Sequence, residues 1–115
     1  MPILKLETSV PLTEEKQKAM LAALGKLVAG TIGKPEQYVM VTCGPTAIRM
    51  AGRDGDAAFV DIRSIGGLTN AVNRKLSAQV CQLLVDALSI PANRVYLNFT
   101  EIDAANWGWN GNTFG

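Results

Sequence analysis

The sequence predicts an α+β domain in which duplicated β-α-β units form a four-stranded mixed sheet with two antiparallel helices on one face. Three observations predict it: short segments of alternating polarity, longer segments with apolar residues three and four apart, and an internal repeat with an offset of 56 residues. The 115 residues fit a single domain, 1–115, with repeats at about 2–43 and 58–99 and a tail at 104–115.

The two copies of the repeat share few identical residues, but these residues keep the same 56-residue offset. Leu12-Thr13 matches Leu68-Thr69, and the five residues from Pro35 align with the five from Pro91. Because register is kept across half of the chain, the pattern predicts two copies of one supersecondary unit.

Each copy opens with a strand. Leu4 and Leu6 are expected to point one way while Ile3, Lys5 and Glu7 point the other, and in the second copy Val60 and Ile62 oppose Asp61 and Arg63. A period of two is typical of a strand with one face on the core.

A helix and a second strand follow in each copy. Thr13 and Thr69 are expected N-caps, because a hydroxyl can accept from an unpaired N–H of the first turn. Gly33 is expected to end the first helix. The second strands are predicted over 38–43 and 94–99, so each unit is a strand, a helix and a parallel strand.

Composition excludes several classes of protein. The net charge of +1 gives no electrostatic surface for nucleic acid. No segment is long and apolar enough to span a membrane, and none resembles a leader peptide. Cys43 and Cys81 are expected to be reduced thiols, which predicts a cytoplasmic location.

The face of the sheet away from the helices is predicted to be too apolar for water. It carries Ile3, Met40, Phe59 and Tyr96 among polar residues, in a chain that is 48% hydrophobic. Another copy of the same chain is the simplest cover, so a homo-oligomer is expected.

The usual catalytic groups are missing. There is no histidine, which excludes Ser-His triads and histidine metal sites, and no phosphate-binding glycine motif is present. Pro2 is an ordinary first residue of a strand or, after removal of Met1, a secondary amine that titrates closer to neutrality than lysine. Burial or a nearby cation such as Lys34 favours its neutral, basic form.

Several stretches together resemble the macrophage migration inhibitory factor family of the tautomerase superfamily. The resemblance runs nearly end to end and rests on Met1-Pro2, Gly33-Lys34-Pro35 with Tyr38-Val39, Ser64-Ile65-Gly66, the Asn73 region, Pro91 with Arg94-Val95-Tyr96 and Asn98, and Ala104-Ala105-Asn106 with Gly108-Trp109 and Thr113-Phe114.

The resemblance implies a homotrimer around a central channel, with active sites at subunit interfaces. It implies keto–enol tautomerisation of a small aromatic α-keto acid such as phenylpyruvate, with Pro2 as general base and no cofactor or metal. The substrate-binding residues that it implies are Lys34, Ser64, Ile65, Tyr38, Trp107 and Phe114, with Tyr96 and Asn98 from the adjacent subunit.

Two departures from the family pattern bear on function. Residues 57–60 are Ala-Ala-Phe-Val where some members have a Cys-x-x-Cys motif, which argues against thiol redox activity. Trp107 stands where a smaller aliphatic residue is common, so the pocket is expected to be narrower. The alternative function is a cytokine-like or host-modulating ligand that binds a protein receptor through its trimer surface and leaves cells without a signal peptide.

Overall fold

Two long helices and six strands make up the computed structural model, which describes residues 1–115. In chain order the elements are β1 (Pro2–Thr8), α1 (Glu14–Ile32), β2 (Met40–Pro45), β3 (Ala58–Ser64), α2 (Asn70–Leu88), β4 (Val95–Glu101), β5 (Gly108–Trp109) and β6 (Asn112–Thr113).

The first four strands form one mixed sheet in the order β2-β1-β3-β4. The outer pairs, β1 with β2 and β3 with β4, are parallel, and the central pair β1–β3 is antiparallel. Each helix connects two parallel strands and therefore runs against them, so α1 and α2 are antiparallel to each other. The predicted α+β architecture is confirmed.

Both helices begin at the predicted caps. The Thr13 hydroxyl accepts from the backbone N–H of Lys16, and the Thr69 hydroxyl accepts from that of Val72, each at 3.2 Å. Gly33 ends α1 in the left-handed conformation, with φ of 80°. This geometry turns the chain sharply toward the first edge of the sheet.

The core lies between the helices and one face of the sheet. Leu4, Leu6, Val60 and Ile62, the residues predicted to face inward, are fully buried. They pack with helix residues such as Leu24 in a single cluster. Each fully buried aliphatic side chain stabilises the fold by about 1.5–3 kcal/mol.

The predicted starts of the second strands were wrong by one or two residues. Tyr38 lies in a 3-10 turn, Glu36–Tyr38, and Arg94 in another, Ala92–Arg94. The proline before each turn accepts from the turn's last N–H, at 3.0 Å for Tyr38 and 2.9 Å for Arg94. These bonds hold the backbone out of the sheet until Met40 and Val95.

Arg94 is a buried guanidinium that holds the connection between the two halves of the chain. It donates to the carbonyl oxygens of Met50 at 2.7 Å, Arg53 at 3.2 Å and Asp56 at 3.3 Å. Backbone carbonyls thus solvate this charge in place of a carboxylate.

The opposite face of the sheet is uncovered in the single chain. Met40 is 61% exposed and Tyr96 66% exposed on this face. The same face carries the ion pair between Arg63 and Asp61, at 3.0 Å. Neither long helix has a stretch apolar enough to cross a bilayer.

Candidate functional site

The N-terminal residues lie at the carboxyl end of β3. Pro2 opens β1 directly beside Ser64, and the Pro2 side chain is fully buried on the helix side of the sheet. The amine of Met1 has a pKa below its usual value, first because it is partly buried and second because Lys34 is close. The neutral form of an amine is therefore favoured at this position.

Lys34 supplies the cation at this end of the sheet. It follows Gly33, the C-cap of α1, and its backbone N–H donates to the carbonyl of Ala29 at 3.1 Å. Its side chain is half-buried, and no carboxylate lies within ion-pair distance of its ammonium group. An unpaired, partly desolvated ammonium is a good partner for an anionic ligand.

The loop after β3 brings backbone donors to the same place. The N–H groups of Ile65, Gly66 and Gly67 donate to no acceptor in the protein. The loop is held at its far end, where the Leu68 N–H donates to Glu101 Oε1 at 3.1 Å. Such free N–H groups can bind a carboxylate or a developing oxyanion.

Gly67 explains how this loop comes so close to the end of α1. Its φ is 83°, and a Cβ built on it would lie 2.8 Å from Cγ2 of Ile32 and 3.9 Å from Cε of Lys34. A glycine is therefore required both by conformation and by space. The Lys34 side chain and the free N–H groups consequently lie together.

Ser64 is beside Pro2 but beneath the surface. Its side chain is fully buried on the helix side, and its Oγ has no hydrogen-bond partner. Contact of this hydroxyl with substrate stays a prediction. An unsatisfied buried hydroxyl requires an explanation.

The aromatic residues of the site are spread over two segments. Tyr38 is 43% exposed in its 3-10 turn. In the tail, Trp109 and Phe114 stack with ring centroids 5.8 Å apart and planes 10° apart. The N–H of Phe114 also donates to the carbonyl of Trp107 at 3.1 Å, which fixes the β5–β6 hairpin.

Trp107 borders a cavity of about 460 Å³ on the uncovered face of the sheet. Lys34 and the loop 65–67 do not line it, whereas Ile3, next to Pro2, does. The remaining lining residues are Lys5, Asp61, Arg63, Ile102, Asn106 and Gly108. Trp107 thus lies on the side of β1 opposite to the buried Pro2 ring.

Tyr96 and Asn98 do not meet Pro2 within one chain. Tyr96 pairs with Phe59, five residues along β3 from Ser64, the partner of Pro2. At about 3.3 Å per residue this separation is ~16 Å, and for Asn98 it is ~10 Å. These two side chains lie on the uncovered face of the sheet.

Sequence reasoning missed two parts of this site. The pair Gly66-Gly67 forms no phosphate-binding motif, but two adjacent glycines at the end of a strand also permit free N–H groups. Glu101, which holds the loop, has no signal in the sequence. No group of three or more His, Cys, Asp or Glu side chains is placed to hold a metal ion.

Comparison with known proteins gives one matching family. The sequence model of the family described as macrophage migration inhibitory factor matches residues 1–115. A macrophage migration inhibitory factor homolog from Trichuris trichiura is 41% identical over 99% of this chain and 100% of that protein. The macrophage migration inhibitory factor of Mus musculus is 37% identical over 99% of both.

Solved structures share the fold closely. The macrophage migration inhibitory factor-like protein of Entamoeba histolytica superposes with a TM-score of 0.95 at 34% identity, covering 98% of each chain. The corresponding protein of Toxoplasma gondii gives a TM-score of 0.94 at 34% identity, covering 97% of this chain and 99% of that one. This chain belongs to the macrophage migration inhibitory factor family.

Proposed function

We propose that this protein is a keto–enol tautomerase, an isomerase that acts on small aromatic α-keto acids such as phenylpyruvate. Pro2, with Met1 removed, is the general base. The observation that carries the proposal is the convergence of an N-terminal amine, the unpaired Lys34 ammonium and the free N–H groups of Ile65–Gly67.

Each of these groups has one task in the reaction. The neutral Pro2 amine removes a proton from the carbon beside the keto group, and the electron pair moves onto the carbonyl oxygen. Hydrogen bonds from the loop N–H groups stabilise the resulting oxyanion, while Lys34 pairs with the carboxylate. The protonated amine then gives its proton to that oxygen, which yields the enol and restores the base.

The N-terminal environment favours this use of the amine. An efficient base titrates near the pH at which it works. At the terminus of this chain, burial and Lys34 both lower the pKa of the amine. A proline ring at this position also fixes the direction of the nitrogen lone pair.

The assembly belongs to the same proposal. A homotrimer would cover Met40 and Tyr96 on the uncovered face. It would also bring Tyr96 and Asn98 of one subunit to Pro2 of the next, across a distance that a single chain does not span. Tyr38, Trp107 and Phe114 would then enclose the aromatic ring.

The test compares four forms of the protein in a phenylpyruvate tautomerase assay that follows the ultraviolet absorbance of the enol. The forms are the mature chain, Pro2→Gly, a form that retains Met1, and Pro11→Gly, a control at an exposed proline outside the site. We expect activity in the mature chain and in Pro11→Gly, and large losses in the other two. Equal activity in all four would disprove the role of Pro2, and the intact mass verifies the N-terminus of each sample.

A second candidate function is a cytokine-like ligand, which is supported by the 37% identity to the mouse protein named macrophage migration inhibitory factor. Macrophage migration in the presence of mature protein or Pro2→Gly tests it. Inhibition by both forms would assign this activity to the surface of the assembly rather than to the tautomerase site. Absence of inhibition by either form would reject it.

A further inference from the structure

The two ends of the central strand pair are related by the 56-residue offset, which allows a direct comparison. Pro2 pairs with Ser64 at one end, and Ala58 pairs with Thr8 at the other. The backbone carbonyl oxygens correspond closely: that of Thr8 accepts from the Thr46 N–H, and that of Ser64 from the Ile102 N–H, both at 2.9 Å. Thr8 and Ser64 therefore occupy equivalent positions.

At the Ala58 end the hydroxyl of Thr8, the N–H of Ser9 and the carbonyl of Ala57 are all bonded within the protein. The Thr8 hydroxyl donates to the Ala57 carbonyl at 2.8 Å and accepts from the Val10 N–H at 3.1 Å. The Ser9 N–H donates to the same Ala57 carbonyl at 3.2 Å. These bonds close this end of the sheet.

At the Pro2 end the equivalent bonds are missing. The offset predicts that the Ser64 hydroxyl would bond the Met1 carbonyl and the Gly66 N–H, and that the Ile65 N–H would also bond the Met1 carbonyl. None of these bonds is present, and the fully buried Ser64 Oγ has no partner. The polar groups at the Ala58 end are thus hydrogen-bonded to one another, whereas the equivalent groups at the Pro2 end are not.

We infer that the Ser64 hydroxyl is the hydrogen-bond partner of the Pro2 amine in the mature chain, and so a positioning residue for the base. The inference rests on the proposed function, because it requires that Met1 is removed. Removal takes away the carbonyl that an equivalent hydroxyl would bond and leaves a secondary amine beside Ser64. The cross-strand pairing places the two residues directly opposite each other on one face, where paired Cβ atoms lie about 4.5–5.5 Å apart.

The direction of this bond determines its effect. A neutral secondary amine has one N–H and one lone pair, so an N–H that donates to Ser64 Oγ leaves the lone pair for the substrate. When the amine takes a proton it remains bonded to Ser64, and the bond becomes stronger because the donor is charged. Ser64 therefore orients the base and favours its protonated form, whereas Lys34 favours the neutral form.

The other charged groups at this end have different partners. Glu101, next to Ser64 in the sheet, accepts from the Leu68 N–H at 3.1 Å. Arg63, the preceding residue, points to the uncovered face and pairs with Asp61 at 3.0 Å. Within one chain, Ser64 and Lys34 are thus the groups that set the protonation of the amine.

The experiment measures the Pro2 amine directly, by following its ¹⁵N resonance against pH in proline-labelled mature protein. We expect Ser64→Ala to lower the pKa of Pro2 by about one pH unit. The acidic limb of kcat/KM for phenylpyruvate should move with it, and kcat should fall about tenfold with little change in KM. Ser64→Thr, which keeps the hydroxyl, should restore both values.

Thr8→Val is the matched control at the equivalent position. It breaks the bonds to Ala57 and Val10 and should lower the unfolding midpoint, but it should leave the Pro2 titration unchanged. A Pro2 titration in Ser64→Ala equal to that of the parent, or one shifted equally by Thr8→Val, would overturn the inference. If Ser64→Ala does not fold, a normal Pro2 pKa in the isosteric Ser64→Cys would overturn it instead.

The two proposals can fail separately. If the mature protein has no tautomerase activity, the proposed function fails, and the ¹⁵N titration still shows whether Ser64 bonds the amine. If activity depends on Pro2 but Ser64→Ala does not change the pKa of Pro2, only the positioning role of Ser64 fails.

Discussion

Replacing Gly67 by alanine tests the close contact that places Lys34 beside the loop after β3. A Cβ at residue 67 would lie 2.8 Å from Cγ2 of Ile32, a distance that side chains do not tolerate, and the backbone φ is 83°. The left-handed conformation costs alanine about 1–2 kcal/mol. Displacing the stiff, β-branched Ile32 costs a further ~1–3 kcal/mol. We therefore expect Gly67→Ala to lower the free energy of unfolding by about 2–5 kcal/mol.

Gly66→Ala is the matched control, because Gly66 has a φ of 74° but no atom within 4 Å of an added Cβ. It should cost only the conformational term, about 1–2 kcal/mol. Urea denaturation at one protein concentration measures both variants, with the concentration fixed because self-association would contribute to stability. Equal losses in the two variants, within ~0.5 kcal/mol, would refute the contact between Gly67 and Ile32 as the reason for glycine.

Three further predictions follow from the charges and exposures of single residues. Lys34 lowers the pKa of the terminal amine, and the base is the neutral amine. Lys34→Gln should therefore move the acidic limb of the kcat/KM profile to higher pH, and it should raise KM. An acidic limb at the same pH as in the parent protein would contradict this prediction. Tyr96→Ala removes a side chain that is 66% exposed in one chain, so it should reduce the mass measured by light scattering if other copies cover this face. A mass equal to that of the parent protein would count against Tyr96 in an interface. Cys43 and Cys81 have pKa values raised by burial, so both thiols should react with iodoacetamide at neutral pH more slowly than after unfolding in urea; equal rates would show that neither is protected.

Periodicity predicted most of the fold because only one face of the sheet packs against the core. Alternation at Leu4, Leu6, Val60 and Ile62 indicated which face of the sheet is buried, and the structure buries that face. The hydroxyl caps were predictable for a similar reason, since a cap is a local interaction between residues three apart. Patterns that depend on near neighbours in the chain are visible in a single sequence.

The starts of β2 and β4 were not predictable in this way. Tyr38 and Arg94 fit an alternating pattern, but each donates its N–H to the proline three residues before it. Arg94 also has its side chain drawn to the chain connection by three carbonyls more than 35 residues away in sequence. The distant partners of Arg94 leave no trace in a local pattern. For Tyr38 the 3-10 turn is local, but the alternating residues fit a strand equally well.

The candidate site was predictable in its residue types but not in its geometry. The lack of histidine drew attention to Pro2, and the resemblance named Lys34 and Ile65. The sequence did not indicate that Ser64 Oγ is buried without a partner or that Glu101 holds the loop. These features follow from the pairing of strands far apart in the chain.

The buried Arg94 has a consequence for how the length of this chain can vary. Its guanidinium donates to the carbonyl oxygens of Met50, Arg53 and Asp56 together, and a Cβ on Gly55 would lie 3.9 Å from it. Adding or deleting one residue between 50 and 56 would move at least one of these oxygens away from a charge that has no other solvation. The connection between the halves is therefore a segment of fixed length, and new termini or inserted domains are better accommodated in the polar turn at 110–111, where the chain is exposed.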